Sequence, residues 1–288
     1  MRPKVLRKMV VSGERNPRLT TVPNREVIQI VGESDEAIFS EMESMKERIF
    51  QDFSPSDQVL IKFNLNTALP FPASTDLEML EQIVSQLHDL GIHRIFIGEC
   101  ASNPKIPTRK TMKEKGLFER IEKQAKIICF DEQDWIRVKA DFHYWEELIV
   151  PKTIFEVDKI IYLANVKTHC RADFSLGIKL AVGLLHPLKR FELHRDHLQE
   201  KVAELSLAVQ PDLIILDGRK PFITGGPDEG MTVEGDTIII GTNLLDVDLA
   251  GYELLLSLKK ANQVVEHFTE DPYEMRQFKV AKEIFERR

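Results

Sequence analysis

The stretch QVLIKFNLNTALPFPASTDLEMLEQIVSQLHDLGIHRIFIG, residues 58–98, decides the fold. It opens on a short apolar run at 58–63, the length and composition of a buried strand. Between 75 and 90, Leu77, Leu80, Ile83, Val84 and Leu87 recur at the spacing of one helical face. Gly91 follows as a helix stop, because glycine takes the left-handed backbone that ends a helix. The run 94–98 is apolar again. Strand, helix and strand in this order form a β-α-β unit, which joins parallel strands by a right-handed crossover.

Working outward, the same alternation continues. Strands are expected at 27–31, 126–130, 135–138, 159–163, 213–216 and 237–240, and helices at 35–50, 111–124, 174–185, 197–209 and 244–258, with a surface helix after Pro272. Ser34 precedes the first helix as an N-cap. Such alternation predicts an α/β protein: a mostly parallel sheet with helices on both faces, arranged as two α/β lobes around a cleft. Pro151 marks the seam. The expected organisation is an N-terminal arm (1–24), a first lobe (25–150), a second lobe (151–265) and a helical tail (266–288).

The chain has 288 residues and a formal net charge of −7, with 43% hydrophobic and 30% charged residues. That is enough chain for a sizeable core, and its composition excludes disordered and collagen-like readings. An acidic balance argues against nucleic acid and anionic membranes as partners. No stretch approaches the roughly 18 apolar residues of a membrane span, and the N-terminus lacks the apolar core of a signal peptide. Three cysteines, an odd number, do not make a disulfide framework, so the expected location is the cytoplasm.

Three strong strands end in polar residues that apolar packing does not explain. Residues 59–61 give way to Lys62 and Asn64, 160–163 to Asn165, Lys167 and His169, and 213–216 to Asp217. In open parallel sheets ligands bind at the carboxyl ends of strands, so these side chains are expected to share one edge. Charge supports this. Residues 159–201 hold eight basic and four acidic residues, a net +4 that leaves −11 on the rest of the chain. Lys179, Arg190 and His194 belong to this island, which suits a compact anion such as a phosphate, a carboxylate or a nucleotide-like group. Gly225 and Gly226, in a stretch at 217–230 read as a loop, offer backbone N–H groups to the same ligand. They match neither a Walker A loop nor the G-x-G-x-x-G fingerprint.

His169 is the expected general acid/base, since an unperturbed imidazole titrates near neutrality. Lys62 and Lys167 would neutralise negative charge, and Asp217 would orient His169 or hold a cation; His169, Lys167 and Asp217 are the catalytic candidates. Asp246 and Asp248 flank a helix start, and one of them is free to meet the basic island. Cys100, Cys129 and Cys170 are too scattered for a four-cysteine cluster within one chain. His169, His194 and a carboxylate, or His194 with His197, supply an alternative metal site.

Taken together, these residues resemble the domain of unknown function 362 family over about 59–255. The landmarks are Lys62 and Asn64 (with Phe63 where the family usually has proline), the 75–90 helix with Gly91, Lys167-Thr168-His169, Gly177 to Lys179 with Gly183, Arg190 and His194, Asp217-Gly218, Gly226-Pro227 with Gly230, and Asp246 with Asp248. Leu180 stands where an asparagine commonly follows the lysine. The resemblance implies no established reaction or cofactor. Some members carry a ferredoxin-like cluster domain whose cysteines this chain lacks. That motivates a second expectation: an accessory protein of a redox pathway, with an iron–sulfur protein as partner. The leading expectation is a basic cleft that binds a small anionic molecule, with or without catalysis.

Overall fold

The computed structural model describes residues 26–101 and 106–286, so the expected N-terminal arm lies outside the described residues. An eight-stranded mixed sheet organises the molecule. In chain order its strands are β1 (Val27–Val31), β2 (Gln58–Phe63), β3 (Arg94–Glu99), β4 (Lys126–Cys129), β7 (Lys159–His169), β8 (Asp173–Ser175), β9 (Leu213–Phe222) and β10 (Thr237–Gly241). A separate two-stranded ribbon pairs β5 (Trp135–Val138) with β6 (Leu148–Pro151). The spatial order is β1-β10-β9-β7-β2-β3-β4, with β8 folded back on β7. The run β9-β7-β2-β3-β4 is parallel, and β10 and β1 add to its edge antiparallel. The sheet crosses the 150/151 seam without interruption, because β2 pairs directly with β7.

Strand pleat divides the core in two. Leu60, Ile160, Tyr162, Ile214, Leu216 and Ile239 face one way. They pack under α6 (Gly177–Leu180), α7 (Pro187–Leu193), α8 (Leu198–Glu204), α9 (Leu244–Ala261) and α10 (Arg276–Glu286), together with the β5–β6 ribbon. Val59, Ile61, Ile161, Leu163, Leu213 and Ile215 face the other way, under α1 (Asp35–Ser44), α2 (Lys46–Ile49), α3 (Leu77–Asp89), α4 (Thr108–Glu114) and α5 (Leu117–Ile121). Ser34 caps α1 through the Ala37 amide, as expected, and Gly91 leaves α3 at φ +79°.

Several expected elements change in ways that matter for the site. The helix expected at 174–185 is instead β8, α6 and a 3-10 turn, Ala181–Leu184. The buried Asp248 carboxylate on α9 accepts the Gly177 and Ile178 amides at 2.7 and 2.9 Å, which fixes where α6 starts. This is the aspartate that meets the basic island, through backbone and not charge. The helix at 111–124 splits into α4 and α5 at Gly116, whose φ is +82°. Strands β7 and β9 run on to His169 and Phe222 despite their polar ends, so Asp217 to Phe222 is strand and not loop. Ribbon strand β6 and helix α7 were not anticipated; α7 begins at Pro187, with the His186 ring accepting from the Leu188 amide.

Candidate functional site

At the carboxyl end of β2 and β7, on the α6–α7 side, the structure encloses a cavity of about 240 Å³. Of the side chains singled out from sequence, Lys62, Asn64, Asn165, His169, Lys179, Arg190 and His194 line it. Glu99, Gly183 and Asp228 complete its polar wall.

Lys62 sits at the floor with its side chain fully buried. Its ammonium pairs with the Glu99 carboxylate and donates to the Phe63 carbonyl at 2.8 Å. Burial pushes the lysine pKa down and the Glu99 pKa up, and each charge opposes the other's shift. Glu99 also accepts the Cys100 amide at 2.7 Å. Gly183 makes this pair fit: a Cβ there would lie 2.1 Å from Glu99 Oε1 and 2.6 Å from Lys62 Nζ.

Arg190 reaches the cavity from α7. Its guanidinium donates to four carbonyls, those of Leu185, Ala101, Cys100 and Gly183, at 2.8–3.1 Å. These bonds tie α7 to the end of β3 and to the 3-10 turn. None of them neutralises the arginine's charge.

Lys179 is different. Among the described residues its ammonium has no hydrogen bond and no ion pair, and it faces the cavity from α6. Burial lowers its pKa to about 8, against weaker raising effects of Cys170 and Asp228. Asn165 supplies a second unfinished group. Its amide nitrogen donates to the Pro72 and Ser74 carbonyls at 2.9 and 3.3 Å, which fixes the amide's orientation. Its buried Oδ1 and Asp228 Oδ1 both lack a hydrogen-bond partner among the described residues.

His169 does not carry the role expected of it. Its Nδ1 accepts the Arg171 and Ala172 amides at 3.1 and 3.2 Å, so its proton sits on Nε2. Burial, followed by the Lys179 and Lys167 charges, lowers its pKa to about 2. The ring is therefore a fixed neutral donor at physiological pH and not a base that cycles. His194, where α7 ends, has its pKa lowered by burial and by Lys179.

Four expected residues stand elsewhere. Lys167 does not line the cavity; its ammonium donates to Ala73 O at 2.7 Å and Pro227 O at 3.1 Å, stitching together the two loops beside it. Burial brings its pKa to about 7. Asp217 points to the opposite face of the sheet, where it pairs with Arg219 at 2.8 Å, so it cannot orient His169. The expectation failed because its carboxylate is committed to the Arg219 guanidinium, two residues on in the same strand. Gly225 and Gly226 present no amides to the cavity. The Gly226 amide is taken by Glu229 O at 2.7 Å, and both glycines have positive φ (+68° and +73°). Their work is close packing: a Cβ on Gly226 would fall 2.0 Å from Thr168 O. The turn they form sets Pro227 and Asp228 against the cavity.

Sequence reading missed Glu99 and Asp228. Glu99 had a signal, since it ends β3 at the edge where Lys62 ends its own run. Asp228 had none beyond lying two residues after Gly226. No group of three or more His, Cys, Asp or Glu side chains is placed to hold a metal ion among the described residues. This corrects the expected site at His169, His194 and a carboxylate; His197 is an exposed residue with φ +49°. Cys100 and Cys129 are buried and Cys170 is exposed, all three as free thiols.

The family model described as a domain of unknown function, DUF362, matches residues 59–253. The chain belongs to the DUF362 family. Its match covers every cavity residue named above. No curated protein matches the sequence. Among solved structures, a protein from Thermotoga maritima is similar at 12% identity and a TM-score of 0.46, covering 77% of this chain and 59% of its own. The lactate racemase apoprotein from Thermoanaerobacterium thermosaccharolyticum is similar at 14% identity and a TM-score of 0.44, covering 73% of this chain and 54% of its own. This DUF362 chain thus spans less than two thirds of the length of either. No helix among its described residues is long and apolar enough to cross a membrane.

Proposed function

We propose that this protein binds a small anionic metabolite, a carboxylate or a phosphate, in the cavity between β2, β7, α6 and α7. One observation carries the reading: among the described residues, Lys179 places an ammonium without a partner in a cavity where the Lys62, Arg190 and Lys179 cations face the Glu99 and Asp228 carboxylates. Lys179 is half-buried, and a charge partly withdrawn from water is favoured by an opposite charge beside it. A ligand anion completes the set. The volume, about 240 Å³, lies below the roughly 300–1,000 Å³ of drug-sized pockets and suits a metabolite of few heavy atoms. His169 Nε2–H is a fixed donor for a ligand oxygen, and Asn165 Oδ1 is an acceptor for a ligand hydroxyl.

Binding would also move a proton. An anion beside Lys179 raises its pKa from about 8, so the complex takes up protons near that pH. Calorimetry with small carboxylates and phosphate, repeated in buffers of different ionisation enthalpy, tests this. At least one ligand is expected to bind with proton uptake and to bind tenfold or more weakly to Lys179→Met. Equal binding to both proteins, or no binding by any member of the panel, overturns the reading.

A further inference from the structure

The anion reading leaves Lys179 as a point charge, yet the cavity gives it the surroundings of a nucleophile. Its Nζ makes no hydrogen bond or ion pair among the described residues, so its lone pair is unhindered once the proton is lost. Lys62, by contrast, is held by Glu99 and the Phe63 carbonyl, and Lys167 by two carbonyls. Of the three lysines at this end of the sheet, only one has a free amine. Its backbone is fixed, because Asp248 holds the two amides immediately before it. A carboxylate with an unpartnered oxygen, Asp228, lines the same cavity.

Resting on the anion-binding reading, we infer that Lys179 forms an imine with a small 2-oxo acid, the ligand's carboxylate meeting the basic wall while its carbonyl carbon meets Nζ. The neutral amine attacks the carbonyl carbon and the carbonyl π pair moves onto oxygen. Two protons leave the nitrogen in succession by way of the Asp228 carboxylate: the first makes the carbinolamine hydroxyl, and the second reaches that hydroxyl as it departs as water, while the electron pair left on nitrogen closes the C=N bond. One amine and one carbonyl give one imine and one water, with no oxidant, reductant or metal. Burial keeps part of the amine neutral near pH 7, the usual route by which proteins activate a lysine. His169 Nε2–H and Asn165 Oδ1, neither of which titrates there, are the neutral donor and acceptor that an adduct carrying both a carboxylate and a transient hydroxyl requires.

The experiment is reductive trapping. The intact protein is incubated with glyoxylate, pyruvate or 2-oxoglutarate and sodium cyanoborohydride, then mapped by peptide mass spectrometry. One adduct per chain is expected, on Lys179, at least tenfold above any other lysine. Lys179→Arg keeps the charge and is expected to lose the adduct. Adducts spread over surface lysines, or none, overturn the inference, and wild-type mapping decides this even if the variant does not fold. Lactate and glycolate, which carry the anion without the carbonyl, separate the two readings. Binding of these acids without trapping of their 2-oxo counterparts removes the imine and keeps anion binding. Binding of neither class removes both.

Discussion

Two clusters of charge sit near the carboxyl ends of β7 and β9, on opposite faces of one sheet, and their cations are paired to different degrees. On the α1–α3 face, Arg219 meets Asp217, Asp76 and Asp35 at 2.8–2.9 Å, with the rings of Phe39 and Phe71 each 5.0 Å from its guanidinium carbon. Its Nε and Nη2 donate to Asp217 and Asp76, and Asp35 stands at ion-pair distance from Nη1. On the α6–α7 face, the half-buried Lys179 has none among the described residues. A buried cation whose ion partners come from the chain acts as a fastener; on the binding role proposed above, Lys179 takes its partner from outside the chain.

The comparison predicts opposite responses to removing the cation. Arg219→Ala strands Asp217 in the core and is expected to cost about 3–5 kcal/mol in chemical denaturation. A loss under about 1 kcal/mol would break the contrast. Next in size is Gly226→Ala, which forces a side chain onto Thr168 O at positive φ; about 1–3 kcal/mol is expected, with weakened ligand binding because the turn carries Asp228. Unchanged melting would show that the turn can yield.

A pH experiment tests Lys167 in the same spirit. Its folded pKa of about 7 lies below its ordinary 10.5, so between these values the unfolded chain holds more protons. The lysine's contribution to stability therefore rises with pH from about 7 to 10.5 and is level below 7. Urea titrations across that window should show a shallower rise in Lys167→Met than in wild type; parallel curves would place the ammonium outside the low-dielectric interior. The smallest stability effect belongs to Lys179→Met, expected within about 1 kcal/mol of wild type because no partner is left behind. A loss as large as that of Arg219→Ala would reveal a partner and remove the distinction.

Much of the fold could be read from the chain because apolar periodicity is a local property. The 58–98 unit and the strands at 213 and 237 stand close to where the pattern placed them. The 174–185 segment did not, because a distant aspartate, Asp248, sets the start of α6, and no local pattern carries that information. The site divides along the same line. Strand-end position correctly grouped Lys62, Asn165 and His169. It wrongly added Asp217, which stands in register with Asn165 but has its carboxylate taken by Arg219, a partner that strand-end position does not reveal. The tautomer and pKa of His169 depend on two backbone amides of the following turn, which residue type alone does not reveal.

Arg190 separates two things usually bundled together, touching a ligand and influencing it. Its four carbonyl acceptors satisfy hydrogen-bonding geometry but leave its monopole intact. On the anion-binding role proposed above, its charge would act on a ligand through the field alone, with no contact committed to it. A site built this way can change the ligand it grips, through the other wall residues, while the rule about charge stays fixed in the frame of the protein.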